Sequence, residues 1–384
     1  MSGLKIALLG PSYPFKGGIA QYTTYLYRAL ARDHEVLFVS FRRQYPDWLY
    51  PGQTDRDDSA LELFEPDALP LLDSLNPLTW WKTVREISRF RPQVVVFPWW
   101  VMYWAPQFLF MTLLLRLKSP QSRVIYLCHN VIAHEPSRLS RLLTRLTLRQ
   151  GDAFIVQSAQ DEEALRGMLA DVEVKRIEHP AYVVPPERLW DGARARRELG
   201  LHGNVLLFFG YVRPYKGLDL LLQALPAVLA RQDCTLVVAG ELWGDSQHYL
   251  QLSERLGIAD RVRWEMQYIP QERVPVYFGA CDLVVLPYRS ATGSGVVKLA
   301  HSHHRPVLVT DVGALPSAVR ESCSGYIVPS GDPAALAAAI LRHFSRDDRE
   351  AMAAYIATHQ EQCGWELLAQ GVQQLYTAVG SGSR

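Results

Sequence analysis

The sequence predicts an α/β protein of two domains, each built on a doubly wound parallel sheet. Three observations predict it. Short apolar runs alternate with segments of helical period, the pattern of βαβ units. The alternation fails around residues 180–197, where Pro, Ala, Arg and Glu dominate, and then begins again. At 384 residues the chain also exceeds what one hydrophobic core organises.

Residues 5–9 open the first domain as a strand, followed by a Gly/Pro loop and a helix over about 19–31. A second strand is expected at 35–40, and the acidic, Pro-containing stretch 55–73 reads as a long loop. Apolar runs at 94–97, 124–127 and 154–157 supply further strands. The first domain is thus expected over 1–182 and a linker over 183–204. Strands at 205–209, 235–239, 262–264, 283–286, 307–309 and 326–328 make a second domain over 205–363. A helix over 332–344 carries Pro333 in its first turn, where a missing N–H costs nothing. Residues 364–384 read as one more helix, beginning at Trp365 and Glu366, with GSGSR as a frayed tail.

Composition excludes several classes. Hydrophobic residues at 48% and charged ones at 21% describe an ordinary globular chain, and a net charge of +1 argues against nucleic-acid binding. Cys128, Cys234, Cys281, Cys323 and Cys363 show no CxxC pairing and read as small buried residues of a reducing compartment. The apolar stretch 6–9 is too short for a signal peptide or a membrane span, so a cytoplasmic protein is expected.

The most informative stretch is VLLFFGYVRPYKGLDLLLQALPAV, residues 205–228. A strand breaks at Gly210 into a turn carrying Arg213 and Lys216, and Leu218, Leu221, Leu222 and Leu225 then recur at helical spacing. Two cations at a strand-to-helix turn suit an anionic ligand, although a plain basic surface turn has the same composition. GxxxxGK[ST] is absent, so the turn is not a P-loop. Gly17 and Gly18 lie between the first strand and first helix, where glycines let backbone approach a phosphate and helix amides stay free. His129 and Asn130 end the strand VIYLC, as a ligand contact or as satisfied structural groups; His134 and Glu135 follow them. Small residues before an expected helix start at Val296 would form a nest of N–H groups around Ser294, Gly295, Val296 and Val297. His301, His303 and His304 point to different faces of a helix and make no metal site. Asp282, ahead of a buried strand, reads as structural.

These motifs resemble glycosyltransferase family 4, the group 1 retaining nucleotide-sugar transferases of the GT-B fold. The likeness runs nearly the full length and is strongest from Val205 to Pro316. It implies two Rossmann-like domains, an acceptor domain followed by a nucleotide-sugar domain, with the final helix crossing back to the first. It implies that Arg213 and Lys216 clamp the donor diphosphate, that Gly17 and Gly18 approach its phosphates, and that His129 contacts the transferred sugar. Gly240 and Glu241 would line the cleft, the backbone at Tyr268, Ile269 and Pro270 would read the base, and His134 and Glu135 would face the acceptor. One departure is marked. The family carries two glutamates near the segment 290–306, and this chain has no carboxylate between Asp282 and Asp311. Thr292, Ser294 and Lys298 offer donors there, not a carboxylate's acceptors.

The expected function is therefore hexose transfer from a nucleotide-diphosphate sugar to a saccharide or lipid-linked acceptor, with retention, in cell-surface polysaccharide biosynthesis. No cofactor or metal is expected, because the two cations would neutralise the leaving diphosphate. Two other readings stay open. The missing glutamates fit a catalytically silent sugar-nucleotide-binding subunit, and the fold is shared by non-hydrolysing nucleotide-sugar epimerases, which need a carboxylate-rich cleft. A last feature concerns partners. Arg138, Arg141, Arg145 and Arg149 share one helix face, with leucines expected opposite, and Trp80, Trp81, Trp99, Trp100 and Trp104 cluster nearby. Together they fit peripheral contact with an anionic membrane surface, at the inner face of the membrane, or equally a solvated helix over a Trp-rich core.

Overall fold

A computed structural model describes residues 3–46, 48–50, 52, 54–57, 63–131, 137–182, 184–346, 349–359 and 364–381. Two compact units divide it: residues 1–180 with 363–384, and residues 181–362.

In the first unit, β1 (Lys5–Leu9), α1 (Gly18–Leu30), β2 (Glu35–Arg43), β3 (Leu69–Asp73), α2 (Pro77–Phe90) and β4 (Val94–Trp99) come in order. Then follow α3 (Ala105–Lys118), β5 (Arg123–Cys128), α4 (Arg138–Leu148), β6 (Ala153–Val156), α5 (Ala159–Met168) and β7 (Glu173–Arg176). All seven strands pair in parallel in the order β3-β2-β1-β4-β5-β6-β7. Fully buried runs such as Val94, Val95, Val96 and Phe97 are what a sheet covered on both faces requires.

The second unit holds α6 (Gly192–Leu199), β8 (Asn204–Phe209), α7 (Leu218–Leu229), β9 (Cys234–Ala239), α8 (Ser246–Arg255), β10 (Val262–Glu265) and α9 (Val274–Ala280). It continues with β11 (Leu283–Leu286), α10 (Gly295–Ser302), β12 (Val307–Thr310), β13 (Gly325–Val328), α11 (Pro333–Phe344) and α12 (Arg349–His359). Its six parallel strands run β10-β9-β8-β11-β12-β13, with an apolar cluster on each face. α13 (Trp365–Ser381) belongs to the first unit. There Trp365 stacks on Tyr25 at 5.3 Å and meets Tyr22 edge-on at 4.9 Å, above buried Leu368, Val372 and Leu375. Each such side chain contributes about 1.5–3 kcal/mol by leaving water.

Several local expectations change. The stretch 55–73 is not all loop, since β3 pairs with the end of β2. Two elements escape periodicity because little of them is buried: β7 is a polar edge strand, and α6 buries only Ala195 and Leu199. Asp191 caps α6 by accepting from the Arg194 N–H, so a helix stands where composition suggested a linker. The helix of α13 includes Gly380 and Ser381, which were expected to fray. Trp99, Trp100 and Trp104 are core, packed with Phe108. On α4 the leucines are not opposite the arginines. Ser140, Thr144, Thr147 and Leu148 are buried, while Leu139, Leu142 and Leu146 are exposed. On that inner face the Thr147 hydroxyl donates to the Leu143 carbonyl at 2.9 Å and lies 3.3 Å from the Ala105 carbonyl oxygen, so α4 sits close against the start of α3. Asp282 accepts from the Val205 N–H and pairs with Arg196 at 2.8 Å, a structural role. Cys128, Cys234 and Cys281 are buried free thiols and Cys323 is half-buried; Cys363 lies outside the described residues.

Candidate functional site

Strand order reverses between β8 and β11, and in an open α/β sheet the crevice beyond such strands is where ligands settle. The loop after β8 carries Arg213 and Lys216, and the loop after β11 leads into α10. Both candidate motifs therefore converge on one switch point.

Local chemistry shapes the first loop. Beyond β8 and β9, pairing continues with Val212 donating to the Glu241 carbonyl and Trp243 to that of Val212. Gly240, at a φ of 146°, lets the strand ends close, since a Cβ there would stand 2.2 Å from the Gly210 carbonyl oxygen. Pro214–Lys216 then form a single 3-10 turn ending at Gly217. Gly217 has a φ of 67°, and a Cβ on it would lie 2.1 Å from the Pro287 carbonyl oxygen. This close approach locks the cationic turn against the loop that follows β11.

The two cations differ in setting. Arg213 is exposed, its guanidinium over the rings of Trp243 at 5.2 Å and Tyr215 at 5.5 Å. Lys216 does not fit the plain surface turn that composition also allows, since only 8% of it is exposed. Its Nζ sits 5.5 Å from the Tyr288 ring and 3.2 Å from where a Gly210 Cβ would stand. Burial pushes its pKa down to about 7, and the neighbouring Arg213 charge pushes the same way. Among the described residues no carboxylate is paired with Lys216. A buried ammonium beside a second cation is poised for an anion from outside the chain.

α10 begins one residue earlier than expected. Ser294 is its N-cap, its hydroxyl accepting from the Val296 N–H at 3.2 Å. The Val297 N–H donates to the Ser294 carbonyl, and the Val297 side chain is buried. The amides of Val296 and Val297 are thus used within the helix start. Val296 itself reaches the Gly210 turn, with Cγ2 3.6 Å from that Cβ position. The structure so brings Gly210, Lys216, Gly240 and the start of α10 together. Ile269 lies further along, buried in the cluster that also holds Phe209 and Tyr277. Glu241 is buried at 8% exposure. Just past α10, His303 stacks on Phe278 at 5.2 Å, a packing contact.

The first unit carries the other candidates. Gly17 is the N-cap of α1 and lacks a side chain to cap it, and open space surrounds the Cβ position of Gly18. His129 follows β5, its N–H donating to the Trp99 carbonyl at 2.8 Å. Its ring meets Tyr22 edge-on at 4.5 Å, Tyr22 meets His179 at 5.0 Å, and Gln157 donates to the Tyr22 hydroxyl at 2.7 Å. Burial, then the nearby His179, pushes the His129 pKa down to about 3. The ring is therefore neutral at ordinary pH and offers hydrogen bonds rather than charge. Asn130 donates to the Trp100 carbonyl at 3.2 Å. His134 and Glu135 lie outside the described residues. No sequence spacing announced Tyr22, Gln157, His179 and Trp365 around His129, because four separate elements deliver them.

Comparison with known proteins bears on this geometry. A model of group 1 glycosyl transferases matches residues 203–346, and one of a glycosyl transferase 4-like domain matches residues 17–178. A D-inositol 3-phosphate glycosyltransferase of Streptomyces scabiei is 34% identical over 246 residues, covering 60% of this chain and 55% of that protein. The corresponding protein of Streptomyces coelicolor is 32% identical over 277 residues, covering 68% and 59%. The chain thus spans about half the length of the curated relatives it matches. Among solved structures, Anabaena HepE bound to UDP-glucose is similar in fold, with a TM-score of 0.75, 19% identity and coverage of 98% and 100%. A sucrose-phosphate synthase from Thermosynechococcus elongatus gives a TM-score of 0.73 at 20% identity, covering 99% and 100%. With two doubly wound sheets, a cationic turn at a switch point and two family models spanning most of its length, the chain belongs to the group 1, family 4-like glycosyl transferases.

Proposed function

We propose that this protein transfers a hexose from a nucleotide-diphosphate sugar to a saccharide or lipid-linked acceptor, with retention and without a metal. One observation carries the proposal: the buried, carboxylate-free Lys216 beside Arg213 at the β8/β11 switch point. A leaving diphosphate there would gain two charge-assisted contacts that strengthen as its charge develops, which is where catalytic stabilisation is largest. The nucleotide-sugar class is supported by the inositol-phosphate glycosyltransferase relatives and by the UDP-glucose named for the Anabaena neighbour. Neutral His129 would donate or accept a hydrogen bond at the sugar and would not serve as a cationic acid. The acceptor domain, on this reading, is the first unit.

Thermal-shift screening of nucleoside diphosphates and their sugars in EDTA tests the reading. A matched donor at a hundredfold excess over its Kd should stabilise the fold by about 2.7 kcal/mol, and turnover should persist in EDTA. Loss of turnover restored by manganese would reject metal independence, and NMR of the product anomer tests retention. The absence of a carboxylate across 283–310 favours one rival, a sugar-nucleotide-binding subunit without turnover. Tight donor binding with neither transfer nor slow hydrolysis, across saccharide and polyol-phosphate acceptors, would establish that rival instead.

A further inference from the structure

Every large hydrophobic side chain that is exposed among the described residues belongs to the first unit. Six of them lie on two helices packed side by side. On α3, Phe110, Leu113 and Leu117 are exposed at spacings of three and four, so they form one stripe, and Leu117 is 80% exposed. On α4, Leu139, Leu142 and Leu146 repeat the same spacing, with Leu139 at 61%. Beside that leucine stripe runs the exposed arginine stripe of Arg138, Arg141, Arg145 and Arg149. No acidic residue lies within α3 or α4, and no ion pair involves these arginines among the described residues.

We infer that this α3–α4 face docks onto an anionic lipid bilayer, with the leucines and Phe110 entering the headgroup boundary and the arginines meeting lipid phosphates. Close packing on α3 accounts for the small inner face of α4, not for three leucines on its outer side. A helix packed only for stability turns its leucines inward, whereas α4 buries Ser140, Thr144 and Thr147 and spends three leucines on its outer side. Charge selects the occupant. A second copy seated on this face by twofold symmetry would bring one arginine stripe close to its mate, and like charges resist that. An acidic lipid surface meets both stripes at once. No helix among the described residues is long and apolar enough to cross a membrane, so the contact is interfacial. This inference does not depend on the donor chemistry.

Co-sedimentation with vesicles tests it on the full chain. The protein should pellet with vesicles of phosphatidylcholine mixed with phosphatidylglycerol, remain in solution with phosphatidylcholine alone, and be released by salt. Each arginine near an anionic surface is worth roughly fivefold in binding, so Arg141→Glu with Arg145→Glu should lose roughly 25-fold or more. Leu142→Ser with Leu146→Ser should also lose binding, though no charge changes. Unchanged circular dichroism and an unchanged nucleotide-induced melting shift keep misfolding out of the comparison. Wild-type protein that ignores both vesicles overturns the inference, as does pelleting that the double arginine variant retains. A concentration-dependent dimer that Leu142→Ser dissolves, without vesicle binding, would assign the face to a second copy instead.

Discussion

At the scale of single residues, Lys216 is the group through which donor binding should answer to pH. Its ammonium is held near neutrality by burial first and Arg213 second, so above a pH of about 7 the ligand-free side chain is largely uncharged. A diphosphate favours the charged form. Donor affinity should therefore be flat below this pH and weaken as pH rises through it, approaching tenfold per pH unit, until the complex itself deprotonates. Isothermal titration across this range checks the slope, and a flat profile would reject the role. Removing the cation has opposite effects on stability and binding. Lys216→Met should raise the melting temperature of the ligand-free protein, because a desolvated ammonium is replaced by a side chain that favours the site. The same variant should lose the nucleotide-induced shift. A variant that melts lower, or still responds to the nucleotide, would contradict this account. The place of Arg213 and Lys216 in a turn between a strand and a helix was legible in the sequence. Their unequal burial was not, because Tyr288, whose ring lies 5.5 Å from the lysine Nζ, arrives from the loop after β11, more than seventy residues away.

Among the elements, the 3-10 turn closed by Gly217 is tightly constrained. Gly217→Ala must bear both a left-handed φ and a Cβ 2.1 Å from a carbonyl oxygen that belongs to backbone and cannot swing aside. Gly257 has nearly the same φ, 66°, with open space around its Cβ position. Gly257→Ala should thus cost about 1–2 kcal/mol, the steric penalty alone. Gly217→Ala should cost distinctly more and also weaken nucleotide binding, since the turn and the loop after β11 must part. Chemical denaturation of both variants measures the difference, and equal losses would show that the contact yields freely. The strands with fully apolar runs were legible because a sheet covered on both faces writes itself in Val, Leu and Phe. β7, with the sequence EVKR at a sheet edge, and α6, GARARREL, were not, because each buries too little for periodicity to register. The orientation of α4 was inverted for a related reason. Its inner face is small and hydroxylated to fit against α3, so the leucine pattern pointed the wrong way.

For the whole molecule, the two alternating stretches made both sheets legible, and the change of composition near 180 marked where one gave way to the other. The setting of His129 was not legible, since it draws Tyr22 from α1, Gln157 from the end of β6 and His179 from beyond β7. Nor does any periodicity disclose that Trp365 stacks on Tyr25 more than three hundred residues earlier. That contact sets an order of events on the ribosome. Synthesis runs from the first residue to the last, and residues 181–362 leave the exit tunnel before α13 does. The first unit must wait, with Tyr22, Tyr25 and the surface of β6 and β7 uncovered, while the later-made unit emerges. Nascent chains stalled so that residue 362 has just cleared the exit tunnel should resist protease within 181–362 and be cut readily within 1–180. Chains extended past residue 381 should resist throughout. If the shorter nascent chain already protects its first 180 residues, α13 is an ornament on a unit that was folded without it; if not, residues 1–180 stay open until α13 reaches them, and a chaperone would find its work there.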